Sequence, residues 1–413
     1  MTGSADQADA RPLPLTADGV TVAWLSAALR TRYPGVTVAA ADRLEVIEGT
    51  ATKVLVALRY AGDADGLPER MWIKGGFGDH REFTGNLGVY HSEVLFFTDI
   101  APAYKLHHPR SYFALAQDEP VQGVVALEDL RARGVTFARA TRPMIPEQVA
   151  AGLDTLAQLH GETWERYRPG PGSPSLLMNR SSETIWDAWF AELPQMFAAP
   201  RAFAAPVALH DPERLRAAVR AYRAAVQREA KCLVHGDPHI GNAYIERDGT
   251  VGFVDWQTIA IGTWAHDVNY FIVSALDLPD RRAHERDLLH GYLKTLASYG
   301  VPVPSSGEAW ESYRRTTVYG FICWLCNPDI FQPPDVNAAT FARFGMAMLD
   351  HDTYAAIGVL GAPPERDALG VEEEAADRNE RSLRVGHLAV PRQALQLVHR
   401  LAQVAAALCA ALG

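Results

Sequence analysis

The feature that most constrains this chain is the run Val234-His235-Gly236-Asp237-Pro238-His239-Ile240-Gly241-Asn242, followed by Gly252-Phe253-Val254-Asp255-Trp256-Gln257. Two carboxylates and an amide, Asp237, Asn242 and Asp255, stand at the ends of short apolar runs. Such groups are costly to desolvate without a charge partner. A purely structural loop is therefore disfavoured, and a bound divalent cation with a preference for oxygen ligands suits Asn242 and Asp255.

The same three residues are what phosphoryl transfer from a nucleotide demands. One carboxylate accepts the proton of the attacking hydroxyl, while an amide and a second carboxylate hold Mg²⁺ against the phosphates. A zinc hydrolase is the competing reading of His235-Gly236-Asp237-Pro238-His239, with His266-Asp267 as further ligands. It gives Asn242 no task. Cys323 and Cys326 lie in an expected helix without a second ligand pair and read as small hydrophobes.

Composition sets outer limits. The chain has 413 residues, 48% hydrophobic and 21% charged, enough for two lobes with a core. A net charge of −10 argues against nucleic acid as partner. Four scattered cysteines describe no disulfide framework, so a reducing cytoplasmic compartment is expected. The polar N-terminus carries no leader pattern, and the apolar tract 401–412 is too short to span a bilayer, so no membrane association is expected.

Taken in order, residues 1–14 read as a flexible tail and 15–129 as a strand-rich lobe. A helix is expected over 21–32 and strands over 43–47 and 53–60, joined by Glu48-Gly49-Thr50-Ala51-Thr52. That link is either a plain hairpin turn or a roof whose N–H groups cover phosphates. Met71-Trp72-Ile73-Lys74 reads as a strand ending in a lysine. Such a lysine is ordinarily a solvated edge residue. Its functional alternative, pairing nucleotide phosphates, needs a helix glutamate, and Glu93 lies in an expected helix over 90–100. Strands over 112–116 and 122–127 lead to Leu127, Glu128 and Asp129, a hinge against which a nucleotide base could lie.

Residues 130–360 read as a mainly helical lobe, with helices over 147–167, 182–196, 212–228, 268–276, 310–327 and 337–356. The catalytic run appears as strands over 231–234 and 251–255 joined by the motif loop. An aromatic group includes Trp310, Tyr319, Trp324, Phe331 and Phe344, and nearby acids are Glu308, Glu311, Asp329 and Asp335. Aromatics outnumber acids, which leans toward an apolar or mixed acceptor. Residues 361–390 read as a linker and 391–413 as a C-terminal helix.

The motif His235-Gly236-Asp237-x-His239-x-Gly241-Asn242, with Val254-Asp255-Trp256-Gln257 and His266-Asp267-Val268, resembles the aminoglycoside phosphotransferase and choline kinase superfamily. The nearest branch is the ecdysteroid-kinase-like one, to which Gln257 and the hinge Leu127-Glu128-Asp129-Leu130 point. The resemblance implies an α+β, protein-kinase-like bilobal fold, with a small β-rich N-lobe bearing one helix and a larger helical C-lobe. It implies phosphorylation of a small-molecule hydroxyl with ATP, less often GTP, and Mg²⁺. Carried over, Asp237 is the base, His235 braces its loop, and Asn242 and Asp255 are metal ligands. Lys74 would hold phosphates, oriented by Glu93, under a roof containing Thr50 and Thr52. Asp267 would cap the following helix or tie the loop down, with His239 and Gln257 in support. The roof departs from the protein-kinase pattern, having one glycine where those enzymes have three. An aminoglycoside-type antibiotic kinase and a catalytically silent nucleotide-binding scaffold are the alternatives.

Overall fold

The computed structural model describes residues 10–359 apart from 63, 65, 80, 169–182, 328 and 330. The expected linker and C-terminal helix lie outside the described residues. Strands β1 (Val38–Ile47), β2 (Thr52–Tyr60), β3 (Arg70–Gly75), β4 (Ser111–Gln117) and β5 (Gln122–Glu128) form one antiparallel sheet, ordered β1-β2-β3-β5-β4. Its register sets Lys74 between Lys53 of β2 and Val125 of β5. Helix α1 (Val22–Arg30) starts where the Thr21 hydroxyl accepts the Trp24 N–H at 3.2 Å, and it buries Leu25, Ala28 and Leu29 in the core of this lobe. The N-terminal segment joins the lobe earlier than expected. Ala10 and Leu13 are buried, and Gln117 accepts the Leu13 N–H at 2.9 Å.

Two further helices complete the small lobe: α2 (Arg81–Asn86), which was not anticipated, and α3 (Val89–Leu95). The expected single helix over 90–100 changes character at Phe96, where a π-helical turn (Phe96–Ile100) takes over. Such widened turns re-aim side chains. Phe96 lies flat on Trp256 of the large lobe, ring centroids 4.0 Å apart and planes within 3°.

The large lobe is built from α4 (Pro146–Thr163), α5 (Glu183–Ala198), α6 (Pro212–Val226), α7 (Trp264–Ala275), α8 (Leu278–Ala297), α9 (Ser306–Cys326), α10 (Pro334–Asp350) and α11 (Thr353–Ile357). Among the described residues no helix is long and apolar enough to cross a membrane. Two small ribbons carry the motif. β7 (Cys232–Val234) pairs with β10 (Ala260–Gly262), while β6 (Thr136–Phe137), β8 (Ala243–Ile245) and β9 (Val251–Phe253) form the other. The two strands expected to flank the motif loop therefore belong to different ribbons. Every residue of α7 is buried, as suits a helix at the centre of the lobe. Gly320 of α9 sits against Phe344 of α10 so closely that a Cβ there would meet the ring.

Helix α8 was not anticipated, because its first half is dense in charge. Asp277 caps it, accepting the Asp280 N–H at 3.0 Å, and Leu288, Leu289, Tyr292, Leu293 and Leu296 form its buried stripe. Two of its charges are buried too. Arg281 bonds Glu285 at 2.8 Å and also pairs with Asp350, and Glu285 bonds His351 at 2.8 Å. Removing one partner of such a cluster strands the others. Arg281→Met should cost about 3–5 kcal/mol in a reversible urea titration. A loss within the scatter of ordinary surface substitutions would show that the cluster holds α8 and α10 together far less than its geometry implies.

Candidate active site

Lys74 is enclosed near the end of β3, its side chain only 2% exposed. Two carboxylates from separate elements meet it: Glu93 of α3 at 2.7 Å and Asp255, just past β9, at 2.6 Å. Burial alone would lower the lysine's pKa, but Asp255 and then Glu93 raise it, so the ammonium stays charged. Burial alone would likewise raise Asp255, and Lys74 followed by Lys53 hold its carboxyl far below the usual range. Asp255 has φ 68° and ψ 60°, a left-handed conformation uncommon outside glycine. This geometry aims the carboxylate back at the sheet while Trp256 turns to stack on Phe96.

The loop after β7 is held mainly through its backbone. Asp267, fully buried in the first turn of α7, accepts the N–H of His235 at 2.6 Å and of Gly236 at 3.0 Å. It also meets His160 Nε2 at 3.1 Å. Thr263, not Asp267, occupies the cap position of α7, so of the two roles considered for Asp267 the geometry realises the loop tie. Burial would raise its pKa, but the hydrogen bond and charge of His160 bring it below the ordinary value. Gly236 has φ 87°, and a Cβ there would collide with the Thr258 carbonyl. His235 donates from Nε2 to Val254 O at 3.0 Å and accepts the Asp237 N–H at Nδ1, 3.3 Å away. Burial lowers its pKa, consistent with a neutral ring bracing the loop.

Asp237 keeps a third of its side chain exposed to an interlobe cavity of about 550 Å³. Burial of the remainder and the nearby Asp255 charge push its carboxyl up, opposed by a hydrogen bond from Tyr270. Asn242 donates from Nδ2 to Asp237 O at 2.9 Å. That leaves Asn242 Oδ1, among the described residues, without a protein donor. Asn242 and Asp255 both line the cavity. Two hard oxygen ligands beside a space for phosphate and water fit Mg²⁺, which is commonly held by few protein groups. They do not make a zinc cage. His235 is engaged at both ring nitrogens, His266 Nε2 donates to Gly236 O at 2.9 Å, and no metal-binding group of three His, Cys, Asp or Glu occurs among the described residues.

Other expected site residues divide. Thr50, His239 and Gln257 line the cavity. His239 accepts the Gly241 N–H at 3.0 Å, and burial lowers its pKa to about 4. Gln257 leaves its buried Oε1 without a partner. Thr52 opens β2, buried, with no partner for its hydroxyl, rather than on the cavity wall. At the hinge, Leu127, Glu128 and Asp129 lie outside the cavity lining. Glu128 donates its backbone N–H to Arg110 O at 3.0 Å, and Asp129 caps the turn Leu130–Arg133 and pairs with Arg131 at 2.9 Å. These contacts give the hinge side chains structural work.

The acids considered for an acceptor pocket are absent from the lining. Glu308 closes a capping box with Ser305, Glu311 pairs with Arg314 at 2.8 Å, Asp329 pairs with Arg201, and Asp335 is exposed at the start of α10. Tyr319, Trp324 and Phe331 of the aromatic group do line it, joined by Trp189, Met196 and Tyr270 from the helical segments. Only the periodicity of those helices was visible in the sequence, and it cannot separate a core aromatic from one facing a cavity.

The sequence matches the ecdysteroid kinase-like family over residues 51–300, more than half of the chain. No curated protein matches it. Solved structures similar to it include a choline/ethanolamine kinase family protein from Mesorhizobium loti, 16% identical, with a TM-score of 0.42, covering 80% of this chain and 94% of that one. An ethanolamine kinase from Plasmodium vivax is 15% identical, with a TM-score of 0.43 and coverage of 75% and 81%. A spectinomycin phosphotransferase is 15% identical, with a TM-score of 0.42 and coverage of 79% and 95%. The family match is the one that assigns the chain: it belongs to the ecdysteroid kinase-like family of small-molecule phosphotransferases.

Proposed function

We propose that the protein transfers the terminal phosphoryl group of ATP to a hydroxyl of a small, largely apolar acceptor in a Mg²⁺-dependent reaction. The observation that carries this reading is the convergence of Lys74, Glu93 and Asp255 from three elements beside a cavity that also holds Asp237 and Asn242. Structural ion pairs do not require a carboxylate base and an amide ligand to share one opening with them.

In the reaction, the acceptor hydroxyl lies against Asp237, its oxygen in line with the terminal phosphorus. A new oxygen–phosphorus bond forms as the bond to the bridging oxygen breaks. The hydroxyl proton passes to Asp237, and the nucleoside diphosphate leaves. His235 and Asp267 keep the loop from shifting, which matters because positioning supplies much of the rate in such transfers. Asn242 Oδ1 and Asp255 would hold Mg²⁺, whose contribution when bound is neutralisation of the phosphate oxygens. Lys74 adds a fixed positive charge behind Asp255.

The acceptor half of the cavity favours an apolar body. Trp189, Met196, Tyr319, Trp324 and Phe331 supply aromatic and thioether surface, and Glu192 is the one carboxylate among the described lining residues outside the roof and catalytic centre. A polycation would find too little negative charge there to replace its hydration.

Asp237→Asn should reduce turnover by about 10²–10⁴-fold while nucleotide affinity, measured by calorimetry, stays close to wild type. Turnover at the wild-type rate would remove Asp237 from the role of base. In an ADP-release assay with Mg²⁺, neutral hydroxylated compounds with ring-sized apolar bodies should stimulate release and aminoglycosides should not. The opposite ranking would refute the acceptor assignment while leaving the phosphotransferase reading intact.

A further inference from the structure

The lysine expected from the motif pattern does not face the cavity. Lys74 is sealed behind Asp255 and is not part of the cavity wall. The wall nevertheless contains an ammonium group: Lys53, the first residue after the roof and the register partner of Lys74 on the adjacent strand. Among the described residues lining the cavity it is the one lysine or arginine, set against Glu48, Glu192, Asp237 and Asp255. A nucleoside triphosphate entering this space meets four carboxylates and a single side-chain ammonium.

Lys53 is also placed to move. Its Nζ lies 3.7 Å from Asp255 Oδ2, beyond the length of a charge-assisted hydrogen bond, and its side chain is 35% exposed. Lys74, by contrast, is fixed at 2.6 Å to the other oxygen, Oδ1. Asp255 thus has an enclosed, rigid partner on the sheet side and a loose, solvated one on the cavity side. A lysine on a flexible four-carbon stem can exchange one anionic partner for another at small cost.

Resting on the phosphotransferase reading above, we propose that Lys53 is a catalytic residue of this enzyme: it leaves Asp255 when nucleotide binds and contacts the terminal phosphoryl group through the transfer. The roof explains why the chain needs it. With Gly49 as its one glycine, the segment Glu48–Thr52 offers less freedom for backbone N–H groups to close over phosphates than a three-glycine roof, and a side-chain cation from the same hairpin supplies the missing positive charge. Labour is divided between the two lysines. Lys74 holds Asp255 and Glu93 in place, and Lys53 meets the charge that develops on the group being transferred. Lys53 forms and breaks no covalent bond; the hydroxyl proton still goes to Asp237.

The test separates contact with the terminal phosphoryl group from simple neutralisation of Asp255. Lys53→Met and Lys53→Arg are compared with wild type for kcat and, without acceptor, for calorimetric affinity toward ADP and a non-hydrolysable ATP analogue, each with Mg²⁺. Lys53→Met should lower kcat by about 10²-fold and weaken the triphosphate analogue much more than ADP, with Lys53→Arg recovering part of both. Thermal melting should show both variants folded, since the side chain is partly solvated; if Lys53→Met melts early, Lys53→Gln carries the same measurements. Equal weakening of ADP and the analogue, or an unchanged kcat, would overturn the proposal and leave the phosphotransferase reading standing. A wild-type protein that bound neither nucleotide would overturn both.

Discussion

An ammonium group sealed between two carboxylates is the contact on which the rest of this structure depends. Taking one ion out of water costs several kcal/mol, so Lys74 is tolerable at its depth only with partners of good geometry. Those partners come from outside its own sheet: Glu93 from α3 and Asp255 from the large lobe. Losing Lys74 would leave two carboxylates facing each other at this depth without their shared cation. The sheet, the helix and the strand end that carries Asp255 are thereby bound to one another at the seam where a nucleotide would enter. The flat stacking of Phe96 on Trp256 reinforces the same seam with apolar contact, one residue along from Asp255.

A second constraint works on the loop that bears Asp237. Its fixed points are backbone groups: two N–H donors on Asp267, one carbonyl on His266, and a glycine at positive φ where no side chain fits. Both acceptor and donor residues belong to α7, which is buried on every side. The position of Asp237 is thus inherited from the most enclosed helix of the lobe. The loop can be polar because what holds it is buried.

Much of this was legible in the sequence for a physical reason. Asp237, Asn242, Asp255 and Asp267 occur at fixed local spacings, and Lys74 and Glu93 stand on a recognisable strand and helix in the expected order. Where the sequence misled, the deciding information was three-dimensional. Polar composition suggests a flexible tail over 1–14, yet Ala10 and Leu13 are buried in the core of the small lobe. Charge hid α8, because Arg281 and Glu285 are buried through partners far along the chain. The acids suggested for the acceptor pocket proved to be engaged in caps and ion pairs elsewhere, and Trp189 and Tyr270 reach the cavity from helices whose periodicity spoke only of core. Lys53 passed as an ordinary strand residue until its register beside Lys74 set it on the cavity wall.

The two halves of the cavity therefore differ in kind: one is a dense array of charge, the other a mostly apolar space. Their meeting in one opening is what favours the proposed transfer to an acceptor hydroxyl over hydrolysis of the nucleotide or a silent scaffold. Phosphorus NMR of a reaction containing ATP, Mg²⁺ and a neutral apolar alcohol tests this most directly. A phosphate monoester resonance should grow in step with ADP. Growth of inorganic phosphate alone, or no loss of ATP with any hydroxylated acceptor, would contradict the proposed transfer.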